Sequence, residues 1–136
     1  MRKLDTIIVH CSFTKPNQDI GSKEIREWHL ERGWSDIGYH YVIRRDGGVE
    51  IGRDIRRPGA HARGHNSRSI GICLVGGMSP SGDPVANYTD DQMDSLFFVI
   101  GILIETINPM RVIGHNEVSK KPCPCFNVSE WFNIGR

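Results

Sequence analysis

The amino-acid sequence predicts an α/β fold: a single domain in which a central mixed β-sheet is flanked by helices. Three observations lead there. Two short, nearly continuous apolar runs, Thr6 to His10 and Ile70 to Val75, have the make-up of strands buried on both faces. Two segments with apolar residues at helical spacing alternate with the strand-like runs. Asp46-Gly47-Gly48 is a hairpin signal between two β-rich stretches, so strand directions are mixed.

Bulk properties agree. The 136 residues make about one domain. With 38% hydrophobic and 24% charged residues, the chain is globular rather than disordered. Seventeen Lys and Arg against sixteen Asp and Glu leave a net charge of +1, which argues against a dedicated nucleic-acid binder. The longest apolar run, Leu96 to Ile104, is broken by Gly101. It is far short of the roughly 20 residues a membrane span needs. Met1 to Thr6 shows no apolar signal segment, so a cytoplasmic protein without its own export route and without membrane insertion is expected. Four cysteines are too few for a disulfide scaffold and read as thiols or metal ligands.

The elements follow in order. Thr6 to His10 is the first strand, and Cys11 to Ile20, with Pro16 and Asn17, is a loop. Ser22 is a candidate N-cap and Gly33 a stop, which predicts a helix from about Ser22 to Arg32 with Ile25, Trp28 and His29 at helical spacing. Gly38 to Arg45 and Val49 to Arg53 are the hairpin strands. Asp54 to Ser69, rich in Arg, Gly and His, is a long loop of the kind that is often functional. Ile70 to Val75 is the next strand, closed by Gly76-Gly77, and Met78 to Tyr88 is a polar loop. Thr89 and Gln92 form a capping box. After it Met93, Leu96, Phe97, Ile100, Leu103, Ile104 and Ile107 mark an amphipathic helix that Asn108-Pro109 ends. Arg111 to Ile113 is a short last strand leading to Gly114-His115, followed by a proline-punctuated loop and a terminal turn.

Of the six histidines, His29 is expected to be partly exposed in a polar helix and His40 to fill a strand face. His10 and His115 differ, because each closes a strand-like run and faces a loop, where open α/β sheets bind ligands. Either fills a strand end or ligates. Cys123, in Lys121-Pro-Cys-Pro-Cys125, supplies a thiol to a set of two imidazoles. Such a set suits a catalytic zinc, which keeps a fourth position for water. Cys125 is a rival sulfur. Cys11, next to His10, should point to the opposite side of its strand, and Cys73 should pack in the core.

Beyond these residues, a series of short motifs occurs in one order: Ile8-Val-His10-Cys-Ser12, Gly38-Tyr39-His-Tyr, Arg45-Asp-Gly-Gly-Val-Glu50, Gly59-Ala-His61-Ala, Gly64-His-Asn66, Ser69-Ile-Gly-Ile72, Val75-Gly76, Gly114-His115 and Lys121-Pro-Cys123-Pro. From about Asp5 to Trp131 the chain resembles the type 2 N-acetylmuramoyl-L-alanine amidases, especially the short phage lysozymes that are amidases. Animal peptidoglycan recognition proteins are similar at a greater distance. The resemblance implies the amidase fold over residues 1–136 as one zinc amidase domain, with zinc on His10, His115 and Cys123. It implies cleavage of the amide between N-acetylmuramic acid and L-alanine in bacterial peptidoglycan. Tyr39 matches the family tyrosine, and Lys121 would share the oxyanion with the metal. His61, His65, Asn66 and Arg63, with Arg68, would meet the carboxylates and amides of the peptide stem.

Other readings stay open at this stage. One is a peptidoglycan-binding module without catalysis, against which the presence of Cys123 weighs. Another is a thiol hydrolase using Cys123 or Cys11 with a histidine. The resemblance also permits binding and restraint of a phage RNA polymerase. A monomer is expected, reaching the cell wall only through a membrane permeabilised by a partner or by lysis.

Overall fold

The computed structural model describes residues 1–108 and 111–135. Pro109, one of the two residues expected to end the long helix, lies outside them. Five strands form one sheet in the order β3-β2-β4-β1-β5. They are β1 (Thr6–Cys11), β2 (Tyr41–Ile43), β3 (Val49–Ile51), β4 (Ser69–Leu74) and β5 (Arg111–Gly114). β1 runs parallel to both β4 and β5, β2 runs parallel to β4, and only β2 and β3 are antiparallel. The mixed sheet expected from the hairpin and the buried runs is therefore present. Three helices accompany it: α1 (Ser22–Glu31), α2 (Asp90–Ile107) and α3 (Val128–Gly135).

Alternation along the strands divides the core in two. Ile7 and Val9 of β1, and Ile70, Ile72 and Leu74 of β4, pack with Leu96, Ile100 and Leu103 of α2 and with Val128 and Phe132 of α3. The opposite face carries Val42 and Cys73 against Ile25 of α1, and Ile8 and Ile113 against Ala62. Central strands sandwiched this way have no exposed face, hence their unbroken apolar sequence.

Thr89 accepts the Gln92 N–H (3.1 Å) while Gln92 Oε1 accepts the Thr89 N–H (3.0 Å), closing the expected capping box. Gln92 is fully buried. Its Nε2 donates to Ile43 O (3.2 Å) and Val75 O (2.8 Å), tying α2 to the ends of two strands. β2 is shorter than the expected stretch from Gly38 to Arg45. Backbone bonds still run from His40 to Gly71 O, from Gly52 to His40 O and from Arg53 to Tyr39 O, so Tyr39 and His40 remain fastened to the sheet.

Two expectations are corrected. The terminal turn is a helix, α3, seated by Phe132 and by Trp131 against Phe97. Trp28, which shares its helical spacing with Ile25, is 36% exposed where Ile25 is buried. His29, read as partly exposed, is buried. Its Nδ1 accepts the Gly38 N–H (2.9 Å) and its ring lies 4.5 Å from Trp34. Burial lowers its pKa to about 4, so the ring is a neutral strut for the approach to Tyr39.

Candidate metal centre

The site forms where β1 and β5 end side by side. Val9 pairs with Gly114 across the ladder, so the next residues on each strand, His10 and His115, emerge together. Their rings lie 4.5 Å apart, tilted by 45°. Strand alternation turns His10 to the face opposite α2, with Ile8. The third residue arrives on the loop after β5. The Cys11 N–H donates to Cys123 Sγ (3.0 Å). Asn116 Nδ2 donates to Phe126 O (3.1 Å) and the Tyr88 hydroxyl to Pro124 O (2.7 Å), which braces that loop.

One ligand atom each from His10, His115 and Cys123 lies within 4.8 Å of the others, the one such metal-liganding group among the described residues. Two imidazoles and a thiol, buried on one side and open to a cleft on the other, fit zinc with a free coordination position. His10 is held well below the usual imidazole pKa, first by burial and then by the neighbouring His61 and His115. Burial also lowers His115. Both are therefore neutral, the form that binds metal. The Cys123 thiol is pushed up by its hydrogen bond with the Cys11 side chain and by burial, so metal binding has a proton to displace. Cys125 turns elsewhere, its thiol 3.6 Å from Gly77 O. The Cys11 sulfur lies beside Gly77 and hydrogen-bonds the Cys123 thiol, so Cys11 borders the same cleft without joining the converging donor set.

The group forms part of a cleft of about 570 Å³ that also takes in Tyr39, Lys121, Trp34 and Arg32. The Tyr39 ring lies 5.1 Å from His10. Burial raises its phenol pKa well above the ordinary value, so at neutral pH it is a hydrogen-bond donor. Lys121 is exposed at the mouth and also lines an adjoining cleft of about 490 Å³. Arg32 and Trp34 carry no signal of their own in the sequence, because they flank the Gly33 helix stop. The Arg32 guanidinium lies 5.7 Å from the Trp34 ring centroid.

The four residues expected on the substrate separate. Arg63 and Asn66 line the adjoining cleft. The Asn66 Oδ1 is already committed, accepting the N–H groups of His61 and Ala62 (2.9 Å each). His65 is exposed and lines neither cleft. His61 is buried, with Nδ1 2.8 Å from His10 Nε2 and Nε2 3.2 Å from Ser69 Oγ. Burial, then the neighbouring His40 and His115, lowers its pKa to about 3. The ring lines both clefts, with both of its nitrogens engaged inside the protein.

A mixed sheet with two histidines and a cysteine gathered at its parallel strand ends and a phenol and an ammonium in the same cleft fits a metal-dependent hydrolase, and the family is shown directly. The chain belongs to the N-acetylmuramoyl-L-alanine amidase family, whose model matches residues 1–126, and its activity is that of an N-acetylmuramoyl-L-alanine amidase. Among individual relatives, the endolysin of Enterobacteria phage K11 is 49% identical, over 93% of this chain and 84% of its own. Peptidoglycan-recognition protein LB of Drosophila melanogaster is 32% identical, over 87% of this chain and 53% of its own. Among solved structures, the N-acetylmuramoyl-L-alanine amidase LysC from Clostridium intestinale URNW superposes with a TM-score of 0.84 at 30% identity, covering 98% of this chain and 85% of that one.

Proposed function

We propose that this chain is an endolysin of the phage type, one zinc amidase domain that cuts the bond between the lactyl group of N-acetylmuramic acid and L-alanine. His10, His115 and Cys123 hold the zinc in this reading, and the convergence of their donor atoms within 4.8 Å is the observation that carries it. Bound there, zinc supplies Lewis-acid polarisation of the scissile carbonyl and lowers the pKa of a water toward neutrality. The remaining work falls to the protein. Lys121, cationic and at the cleft mouth, faces the negative charge that develops on the carbonyl oxygen. Tyr39, kept as a phenol, donates a hydrogen bond to the same tetrahedral centre. Arg63 on the adjoining cleft suits a carboxylate of the peptide stem.

The test is a metal and turnover measurement on one preparation. Purified protein is expected to hold about one zinc per chain and to release peptide from sacculi. A chelator should abolish the activity and zinc restore it. Full activity without zinc refutes the reading. Block by a thiol alkylator but not by a chelator would instead indicate a cysteine nucleophile. Capture of muropeptide without cleavage by zinc-loaded protein would indicate a binding module. Among the described residues no helix is long and apolar enough to cross a membrane.

A further inference from the structure

We infer that His61 is a positioning residue for the metal centre, fixing the tautomer of His10 so that Nδ1 of that ring, and not Nε2, is the atom presented to the metal. The inference rests on the metal centre proposed above, and hydrogen-bond directions lead to it. Ser69 Oγ lies 2.7 Å from His65 O. A carbonyl oxygen only accepts, so the one Ser69 hydroxyl hydrogen is spent there. Ser69 therefore meets His61 Nε2, 3.2 Å away, as an acceptor, and His61 carries its proton on Nε2. A neutral imidazole has one N–H, so His61 Nδ1 is a bare acceptor. It lies 2.8 Å from His10 Nε2, which must donate. His10, neutral in turn, is left with its lone pair on Nδ1.

The chain of bonds is built rather than incidental. Ser69 is 1% and His10 1% exposed, so water does not compete for them. Ring space comes from Gly71, which pairs with Ile8 in β4 and faces the His10 side. A Cβ there would lie 2.5 Å from His61 Cγ. Asn66 holds the backbone that carries the ring. A hydrogen-bonded partner of this kind on a ligating histidine sets its orientation and basicity, and its loss typically weakens metal binding about 10- to 100-fold.

The experiment uses full-length protein with His61→Ala and His61→Asn, the latter because its carbonyl oxygen can take the acceptor place of Nδ1. Zinc dissociation constants are measured by chelator competition, and imidazole tautomers by two-bond and three-bond ¹H–¹⁵N correlation in metal-free protein. The unaltered chain should show His10 protonated on Nε2 and His61 on Nε2. His61→Ala should weaken zinc about 10- to 100-fold, and His61→Asn should recover most of that. A His10 proton on Nδ1, or equal losses in both variants, overturns the inference. Absence of zinc binding by the unaltered chain overturns the metal centre itself, while the tautomer readout still decides the hydrogen-bond direction. That readout needs no variant to fold.

Discussion

Gly71→Ala tests how tightly the site is coupled to the sheet. The new methyl carbon would lie 2.5, 2.6 and 2.8 Å from Cγ, Cδ2 and Nδ1 of His61, whereas carbon contacts are optimal at about 3.5–4.0 Å. The ring must retreat by about 1 Å, but it is confined. A Cβ at Gly59 would lie 2.7 Å from the same Cδ2, and His10 stands against the ring at 4.8 Å. Overpacking costs about 1–3 kcal/mol. Stretching the bonds to His10 and Ser69 costs about 0.5–1.5 kcal/mol each. The sum, about 2–6 kcal/mol, lowers the melting temperature of a chain of this length by about 8–24 °C. Calorimetry on metal-free protein reads the stability, and chelator competition reads the accompanying loss of zinc affinity. Gly101→Ala is the control: it lies on exposed α2 with nothing within 4 Å of an added Cβ, and should stabilise by about 0.5–1 kcal/mol. A Gly71→Ala protein that melts and binds zinc like the parent would refute the coupling.

Four further outcomes are expected. Cys123→Ser should leave desalted protein without zinc while Cys125→Ser keeps it; the reverse pattern moves the third ligand to Cys125. Tyr39→Phe and Lys121→Ala should each lower turnover about 100- to 1,000-fold with zinc content intact, and normal turnover on muropeptide would remove that residue from the reaction. Gln92→Ala removes one donor from each of Ile43 O and Val75 O, which keep the Val75 N–H (3.0 Å) and the Arg45 guanidinium (3.5 Å), and should cost about 1–3 kcal/mol in urea denaturation beyond the about 1 kcal/mol of Thr89→Ala; equal costs would show that the cap, not the strand contacts, is what matters. The pKa of His29 and of His40 is lowered to about 4 in each case, by burial first. The unfolded chain therefore binds more protons than the folded one between about pH 6.5 and pH 4. Stability should fall as pH drops through that window, with about two of the protons taken up on unfolding near pH 5 going to these two rings and further ones to the buried His10 and His61. A flat stability curve there would contradict the burial of these rings.

Sequence and structure agree where a local rule had one answer. The runs at β1 and β4 had no polar face to misplace, and the Thr89–Gln92 box identified the start of α2. The converging group of His10, His115 and Cys123 is legible as strand-closing histidines and a late thiol, and the order of motifs ties them together. What escaped was nonlocal. α3 was hidden because Trp131 and Phe132 find their partner, Phe97, on a distant helix. His61 looked like part of a polar, solvated loop, since the sequence does not show that Gly71 lies opposite Ile8 and opens a slot for an imidazole. His29 was misjudged for the same reason: its polar neighbours on α1 conceal a bond to the Gly38 backbone.

The centre is mounted on elements of unequal stiffness, and this divides the effects of mutation. His10 sits on a strand hydrogen-bonded on both sides, and its bond to His61 is anchored in β4 through Ser69. Cys123, by contrast, is held by a loop whose fastenings are the Cys11 N–H, Asn116 and Tyr88. Changes at His61, Ser69 or Gly71 therefore act through His10 and should appear in metal affinity, with turnover of the fully loaded enzyme little altered. Lys121 and Tyr39 are outside the donor set and should show the opposite pattern. Loosening the loop through Asn116 or Tyr88 moves Cys123 and Lys121 together, since only Pro122 separates them, and should alter both quantities at once. Measuring zinc affinity and turnover of loaded protein across those three groups separates holding the metal from using it.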